Sequence, residues 1–273
     1  MPTIAANGLD IHYTVEGEGP PLVLLHGATS SAVEDWSNQR PVFRQQFTLY
    51  LVDARGHART RMTDPDGPWS RDTLVDDLGT FADALGLERF HLAGFSMGGM
   101  TALTYATRAP ERLLSAIVAG ISVEREPRAR VAARLMDAER IDRDEPSWGA
   151  MLDRRHTPAQ GPGGWRRLLR TIAKDIGEQA ILTPEQLRGA RVPIMVAVGD
   201  RDVFVPLDHA VLLHRQLPDS RLLVVPDSGH VVMVTQPALF SAAATGFWRS
   251  LERRARSPRT ASGATAAVLR EGE

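Results

Sequence analysis

The stretch Gly94-Phe95-Ser96-Met97-Gly98-Gly99, entered from the apolar run Phe90-His91-Leu92-Ala93, sets a serine on a turn between a strand and a helix. A strand that becomes a helix within two residues crowds the backbone around the serine. Positions 94 and 98 must then lack a Cβ, and both are glycine. Such a turn lifts the Ser96 hydroxyl above the sheet and aims the N-terminal N–H groups and positive dipole end of the next helix at the same space. This geometry suits attack on a carbonyl carbon, which makes Ser96 a candidate nucleophile.

Working outward, the groups that a nucleophilic serine needs occur past other strand ends. Ser228-Gly229-His230 follows the strand candidate Leu222-Leu223-Val224-Val225, which puts His230 on a loop. Pro193-Ile194-Met195-Val196-Ala197-Val198 reads as a buried strand and runs into Gly199-Asp200-Arg201-Asp202-Val203-Phe204-Val205-Pro206. The residues alone leave the carboxylate open among Asp200, Asp202 and Asp227. His209 and His214 lie five apart, off the spacing of a zinc-binding pair on one helical face, and are expected to be solvated. No metal site is expected.

Composition narrows the class. The chain has 273 residues, 43% hydrophobic and 24% charged, which suits one large α/β domain or a core with an inserted cap. A net charge of −1 gives no field that would gather nucleic acid or an anionic membrane. The absence of cysteine excludes a thiol nucleophile, disulfides and thiolate metal sites. The start, Met-Pro-Thr-Ile-Ala-Ala-Asn-Gly, carries neither a basic nor a long apolar segment, and no run reaches transmembrane length. A cytoplasmic protein acting on a small molecule is the expectation.

Thr3 to Ala6 and Leu9 to Val15 flank Asn7-Gly8, the strongest two-residue hairpin signal, so the chain is expected to open with an antiparallel pair. Parallel strands are expected at 22–25, 48–52, 90–93, 114–118, 194–198 and 222–225, with helices between most of them, giving a doubly wound sheet. Leu74, Leu78, Phe81 and Leu85 recur at helical spacing behind Ser70, a candidate N-cap.

The interval 121–190 breaks the alternation and reads as a helical cap set into a core formed by 1–120 and 191–252. Val131, Leu135 and Ala138 form one apolar stripe, and Trp165, Leu168, Leu169, Ile172 and Ile176 form another. Pro158 and the Gly161-Pro162-Gly163-Gly164 run are expected to break the helices between them. The arginines of this interval, Arg155 among them, mix with acids as a solvated face does, with the binding of a substrate carboxylate by one of them as the alternative. Residues 253–273, rich in small and charged side chains toward the end, are expected to be a disordered tail.

Four ordered motifs together resemble the α/β-hydrolase superfamily: His26-Gly27-Ala28, Asp53-Ala54-Arg55-Gly56-His57, the turn at Ser96, and the Asp202 and His230 segments in the chain order Ser, Asp, His. The resemblance is to its small capped members, which include esterases, enol-lactonases, carbon-carbon bond hydrolases and cofactor-free haloperoxidases. It covers the chain to about residue 252 and implies an α/β-hydrolase fold.

The resemblance also implies roles. Asp202 becomes the acid, as the second aspartate of a Gly-Asp-x-Asp segment, and Asp200 a turn cap. His230 becomes the base that takes the Ser96 proton, and the N–H groups of Ala28 and Met97 the oxyanion donors, with His26 holding their loop. No cofactor is implied. The expected activity is cleavage of a small or medium-sized carboxylic ester or lactone through an acyl-enzyme on Ser96. The alternatives are perhydrolysis, acyl transfer or carbon-carbon bond hydrolysis on the same site, and a receptor-like binding protein that retains the triad.

Two departures from the family pattern stand out. Ala58 and Thr60 replace a glycine and a serine after His57, and the loop His26-Gly27-Ala28-Thr29-Ser30-Ser31 lacks the glycine-proline insertion common among carbon-carbon bond hydrolases. Within the cap, Trp148, His156 and Trp165 are candidate substrate-binding residues, with Met136 and Met151 beside them. An aromatic or methionine at helical spacing is more often core than ligand contact. Oligomeric state is left open.

Overall fold

The computed structural model describes residues 2–64, 67–125 and 134–256. Its centre is an eight-stranded sheet built from β1 (Thr3–Ala6), β2 (Leu9–Glu16), β3 (Pro21–Leu25), β4 (Thr48–Val52), β5 (Phe90–Phe95), β6 (Leu113–Ala119), β7 (Ile194–Gly199) and β8 (Ser220–Val225). Their order is β1-β2-β4-β3-β5-β6-β7-β8. The first two strands form the expected hairpin, with Asn7 at φ 48° and Gly8 at φ 72°, the two left-handed residues that a twist-matched two-residue turn requires. β2 runs antiparallel to β4, and every later pairing is parallel.

The parallel strands are apolar on both faces because helices cover both. On β3, Val23 and Leu25 enter one core while Leu22 and Leu24 enter the other. β7 alternates likewise, with Ile194, Val196 and Val198 opposite Met195 and Ala197. One face is covered by α3 (Arg71–Ala84), α4 (Met97–Arg108) and α9 (Leu207–Gln216). The other is covered by α1 (Ala32–Asp35), α2 (Arg40–Phe43) and α11 (Pro237–Arg256), where Trp248 packs edge-on to Phe43 and Phe47. α3 starts where expected, with Ser70 Oγ accepting the Thr73 N–H at 3.1 Å.

Between β6 and β7 lie α5 (Ala138–Asp144), α6 (Pro146–Gln160), α7 (Gly164–Glu178) and α8 (Pro184–Gly189). Leu168, Leu169, Ile172 and Trp165 from α7 join Leu152, Ile141 and Met136 in a third apolar cluster that also takes in Trp69 and Leu74. Val131, placed on the first stripe, lies outside the described residues. Pro158 does not break its helix: α6 runs through it to Gln160. So near the C-terminal end only one backbone bond is lost, and the stop comes from Gly161 and Gly163, both at positive φ. α11 continues through Arg256, so 253–256 are helical rather than part of a tail, and 257–273 lie outside the described residues. No described helix is long and apolar enough to cross a membrane. A short α10 (Val232–Thr235) follows β8.

The direction in which the parallel strands are added reverses at β3. β3 leads outward to β4, and β5 returns to the other side of β3, so the loops after β3 and β5 leave the same edge side by side. The β5–α4 turn is tight enough that a Cβ on Gly94 would lie 2.1 Å from the Gly98 carbonyl oxygen, and one on Gly98 would lie 2.6 Å from the His26 carbonyl oxygen. Gly94→Ala is therefore expected to cost about 3 kcal/mol or more, since backbone on both sides has to move. Urea unfolding checks this, and wild-type stability in that variant would contradict the turn geometry.

Candidate active site

At the head of α4, Ser96 takes φ 51° and ψ −113°, a backbone state that side chains rarely tolerate outside strained turns. It is held by the Ser96 N–H to the Ala119 carbonyl at 2.8 Å and by the neighbouring Gly98 N–H to the His26 carbonyl at 3.1 Å. The Ser96 Oγ then lies 3.2 Å from His230 Nε2. His230 Nδ1 lies 2.8 Å from Asp202 Oδ2, and the rings of Phe95 and Phe204 pack against the imidazole. The Asp202 side chain is fully buried, and its Oδ1 accepts the N–H groups of Phe204 and Val205 at 2.8 and 3.0 Å. The carboxylate is thus fixed on one side and free to accept from His230 on the other.

The three side chains come from the loops after β5, β7 and β8, as the sequence order suggested. Asp200 does not reach the histidine. It is exposed and accepts the Ser228 N–H at 3.0 Å, and that bond holds its carboxyl below the usual range. Asp227 is paired with Arg201 at the surface. His209 and His214 are half-buried and bonded to Ser122 and Ser220, so they are not simply solvated. Among the described residues no cluster could hold a metal ion.

Ala28 and Met97 both border the space in front of Ser96. Neither N–H finds an acceptor among the described residues: Met97 is the first residue of its helix, and Ala28 lies in an open loop. The Gly27–Ala28 peptide is oriented by His26, which donates from Nδ1 to the Gly27 carbonyl at 2.7 Å and accepts the Ala54 N–H on Nε2 at 3.0 Å. In a trans peptide the Ala28 N–H then points the opposite way.

The same loop is held by residues the sequence reading did not single out for it. Asp35 accepts the Gly27 N–H at 2.7 Å and the Ser30 hydroxyl at 2.6 Å, and burial pushes its carboxyl above the usual range. Arg155, read as one of a solvated set, donates to the Thr29 carbonyl and pairs with Glu34. His156 donates from Nε2 to that carbonyl at 3.1 Å and accepts the Ala58 N–H on Nδ1 at 2.9 Å. Ala58, standing where the family pattern has glycine, is itself at φ 42°, so His156 ties down two left-handed residues, Ala58 and Thr29.

A cavity of about 370 Å³ opens in front of Ser96, bordered by Phe95, Ile121, Phe204 and Val205 from the sheet side and Leu135, Met136, Trp148, Met151, Ile172 and Ile176 from the chain between β6 and β7. Trp148 reaches it. His156 and Trp165 do not: both are buried, the first in the loop contacts above, the second under Arg166 with its indole N–H on Asp153. The expectation that these two line the pocket is corrected, because each spends its polar atoms and its faces on packing. Trp148 differs in lying at the start of α6, on the cavity side.

A model described as the alpha/beta hydrolase family matches residues 22–243. The 2-hydroxy-6-oxo-6-(2'-aminophenyl)hexa-2,4-dienoic acid hydrolase of Metapseudomonas resinovorans is 28% identical, over 95% of this chain and 93% of its own. The pimeloyl-acyl-carrier-protein methyl ester esterase of Nitrosomonas europaea is 27% identical over 84% of this chain and 96% of its own. Among solved structures, a thermophilic esterase from Thermogutta terrifontis superposes with a TM-score of 0.72 at 25% identity, covering 91% of this chain and 97% of that one.

His156 gives the site a testable pH signature. Burial is the largest cause that lowers its pKa to about 4, and protonating Nδ1 would set one N–H against that of Ala58. A depressed folded-state pKa means the stabilisation is complete above the unfolded value of about 6.5 and is lost as pH falls toward 4. His156 should thus cost the wild type roughly 2 kcal/mol between pH 7 and 5. In His156→Asn that share disappears, while His91, also lowered to about 4 by burial, keeps its own. Equal pH slopes in urea unfolding of the two proteins would contradict this.

Proposed function

The chain belongs to the alpha/beta hydrolase family, and on that premise we propose that it is a serine hydrolase cleaving a small or medium-sized carboxylic ester or lactone through an acyl-enzyme on Ser96. The observation that carries the reading is the hydrogen-bonded line Ser96–His230–Asp202 at the floor of a largely apolar cavity. In this reading Ser96 Oγ attacks the carbonyl carbon as His230 Nε2 takes its proton, worth about 10²- to 10⁴-fold. Asp202 keeps Nδ1 protonated and steadies the imidazolium. The N–H groups of Ala28 and Met97 receive the developing oxyanion, each worth about 3 kcal/mol. Collapse expels the alkoxide, which takes the proton from His230; in a lactone it stays tethered to the acyl group. Water then attacks the acyl-enzyme, losing its proton to His230, and collapse breaks the acyl–Oγ bond, releasing the acid as His230 returns the proton to Ser96 Oγ.

We assign residues 121–190 as the cap and 1–120 with 191–252 as the core, a division supported by the cavity wall that Met136, Trp148 and Ile172 supply. Carbon-carbon bond hydrolysis is the second reading, favoured by the likeness to the dienoic acid hydrolase. The short His26–Ser31 loop, without a glycine-proline insertion, weighs toward esters and lactones.

Ser96→Ala is expected to abolish both ester turnover and fluorophosphonate labelling with folding retained. Labelling that persists would place the nucleophile elsewhere. Asp202→Asn should cost on the order of 10⁴-fold in kcat, and Asp200→Asn far less. Equal losses in steady-state kinetics would contradict the choice of acid.

A further inference from the structure

Arg71 opens α3, is only 7% exposed, and borders the same cavity as Ser96. A buried guanidinium ordinarily spends its five N–H groups on acceptors, above all on a carboxylate. This one does not. Among the described residues Nη1 reaches a neutral amide oxygen, Gln179 Oε1, at 3.3 Å, and Nε is buried with no acceptor. The nearest carboxylates are engaged elsewhere. Asp72 comes no closer than 4.0 Å and is bonded to Arg108 at 2.6 Å. Asp175 accepts the backbone N–H of Arg71 at 3.2 Å and the Gln179 side-chain amide at 2.5 Å, not the guanidinium.

Asp175 and Gln179 border the cavity beside Arg71, and the remainder of that wall is apolar: α3 and α7 also contribute Leu74, Ile172 and Ile176, with Trp69 just before α3. A buried guanidinium with no carboxylate in hydrogen-bond reach is costly unless an anion meets it. Burial acts on Arg71 in the matching direction, lowering its pKa, and pushes the Asp175 carboxyl up, which lessens the negative charge beside it.

From this we infer that Arg71 forms a carboxylate-binding subsite, so that the substrate is an ester or lactone whose apolar chain carries a free carboxylate remote from the scissile bond. The inference rests on the serine-hydrolase reading above and deepens it by naming the substrate class. A carboxylate would accept two parallel N–H bonds from the guanidinium, which Arg geometry favours.

The test compares kcat/KM for the 4-nitrophenyl monoesters of glutaric, adipic and suberic acid with that for the matched neutral esters of the monocarboxylic acids. At one length at least, the wild type is expected to favour the acidic ester by about tenfold or more, the worth of one charge-assisted bond. Arg71→Met should abolish that preference, Arg71→Lys should restore part of it, and removal of an exposed charge in Arg170→Met should leave it in place. A wild type that favours the neutral ester at every length, or an Arg71→Met enzyme that keeps the preference, overturns the subsite. Should Arg71→Met not fold, the wild type decides through ligand protection: adipate should slow fluorophosphonate labelling of Ser96 more than hexanoate does, and the reverse order or equal effects overturn the subsite. Turnover of neutral esters without acidic preference removes the carboxylate site alone. No turnover of any ester and no labelling of Ser96 removes the hydrolase reading as well.

Discussion

Gly98 sits against the end of β3 with no room for a side chain, and its N–H bonds the His26 carbonyl at 3.1 Å. That close approach joins the two loops flanking the point where the strand order of the sheet reverses. With Gly94 and Gly98 this close, the chain turns with Ser96 at positive φ, and the hydroxyl is presented above the strand ends. The strain this stores is offset by the close-packed strands β3, β5 and β6 beneath it, whose side chains are buried on both faces. The histidine and the aspartate reach the same point from β8 and β7, which lie farther along the same edge.

The loop after β3 is held from two directions. From below, His26 and Asp35 fix the peptide that carries the Ala28 N–H. From above, Arg155 and His156 of α6 grip the Thr29 carbonyl. The helices beyond β6 therefore do more than roof the cavity: their position and that of the Ala28 N–H are mechanically joined. Asp35 illustrates the balance involved. In the proposed reaction a charged carboxylate on the Gly27 N–H would oppose an oxyanion at Ala28, and burial, outweighing the two bonds Asp35 accepts, pushes its carboxyl above the usual range, the direction that lessens this opposition.

Much of this was legible in the sequence for a physical reason. The strands are continuous apolar runs, the hairpin has its Asn7-Gly8 signal, and the turn at Ser96 needs glycines at fixed offsets, so each is a local property of the chain. Asp202 was separable from Asp200 only through family resemblance, since both follow the same strand; what distinguishes them is the pair of N–H groups at Phe204 and Val205 that turns one carboxylate inward. His156 and Trp165 read like pocket residues because an aromatic on an apolar stripe looks the same whether it faces core or cavity. The roles of Arg155 and Asp35 had no local signal. That of Arg155 arises where α6 meets the loop after β3, far off in sequence, and that of Asp35 from the fold of the loop itself, eight residues from Gly27; the Arg71 guanidinium, with no carboxylate in bonding reach, likewise depends on how α3 and α7 meet.

In the proposed reaction Ser96 carries the acyl group between the two halves. Acid-quenching the enzyme during turnover of a slowly hydrolysed ester, followed by mass analysis of its peptides, tests this most directly. The expected result is a mass increase equal to the acyl group on the peptide containing Ser96, lost on incubation in water after substrate is exhausted. Product formation with Ser96 unmodified throughout, or acylation of another residue, would contradict it.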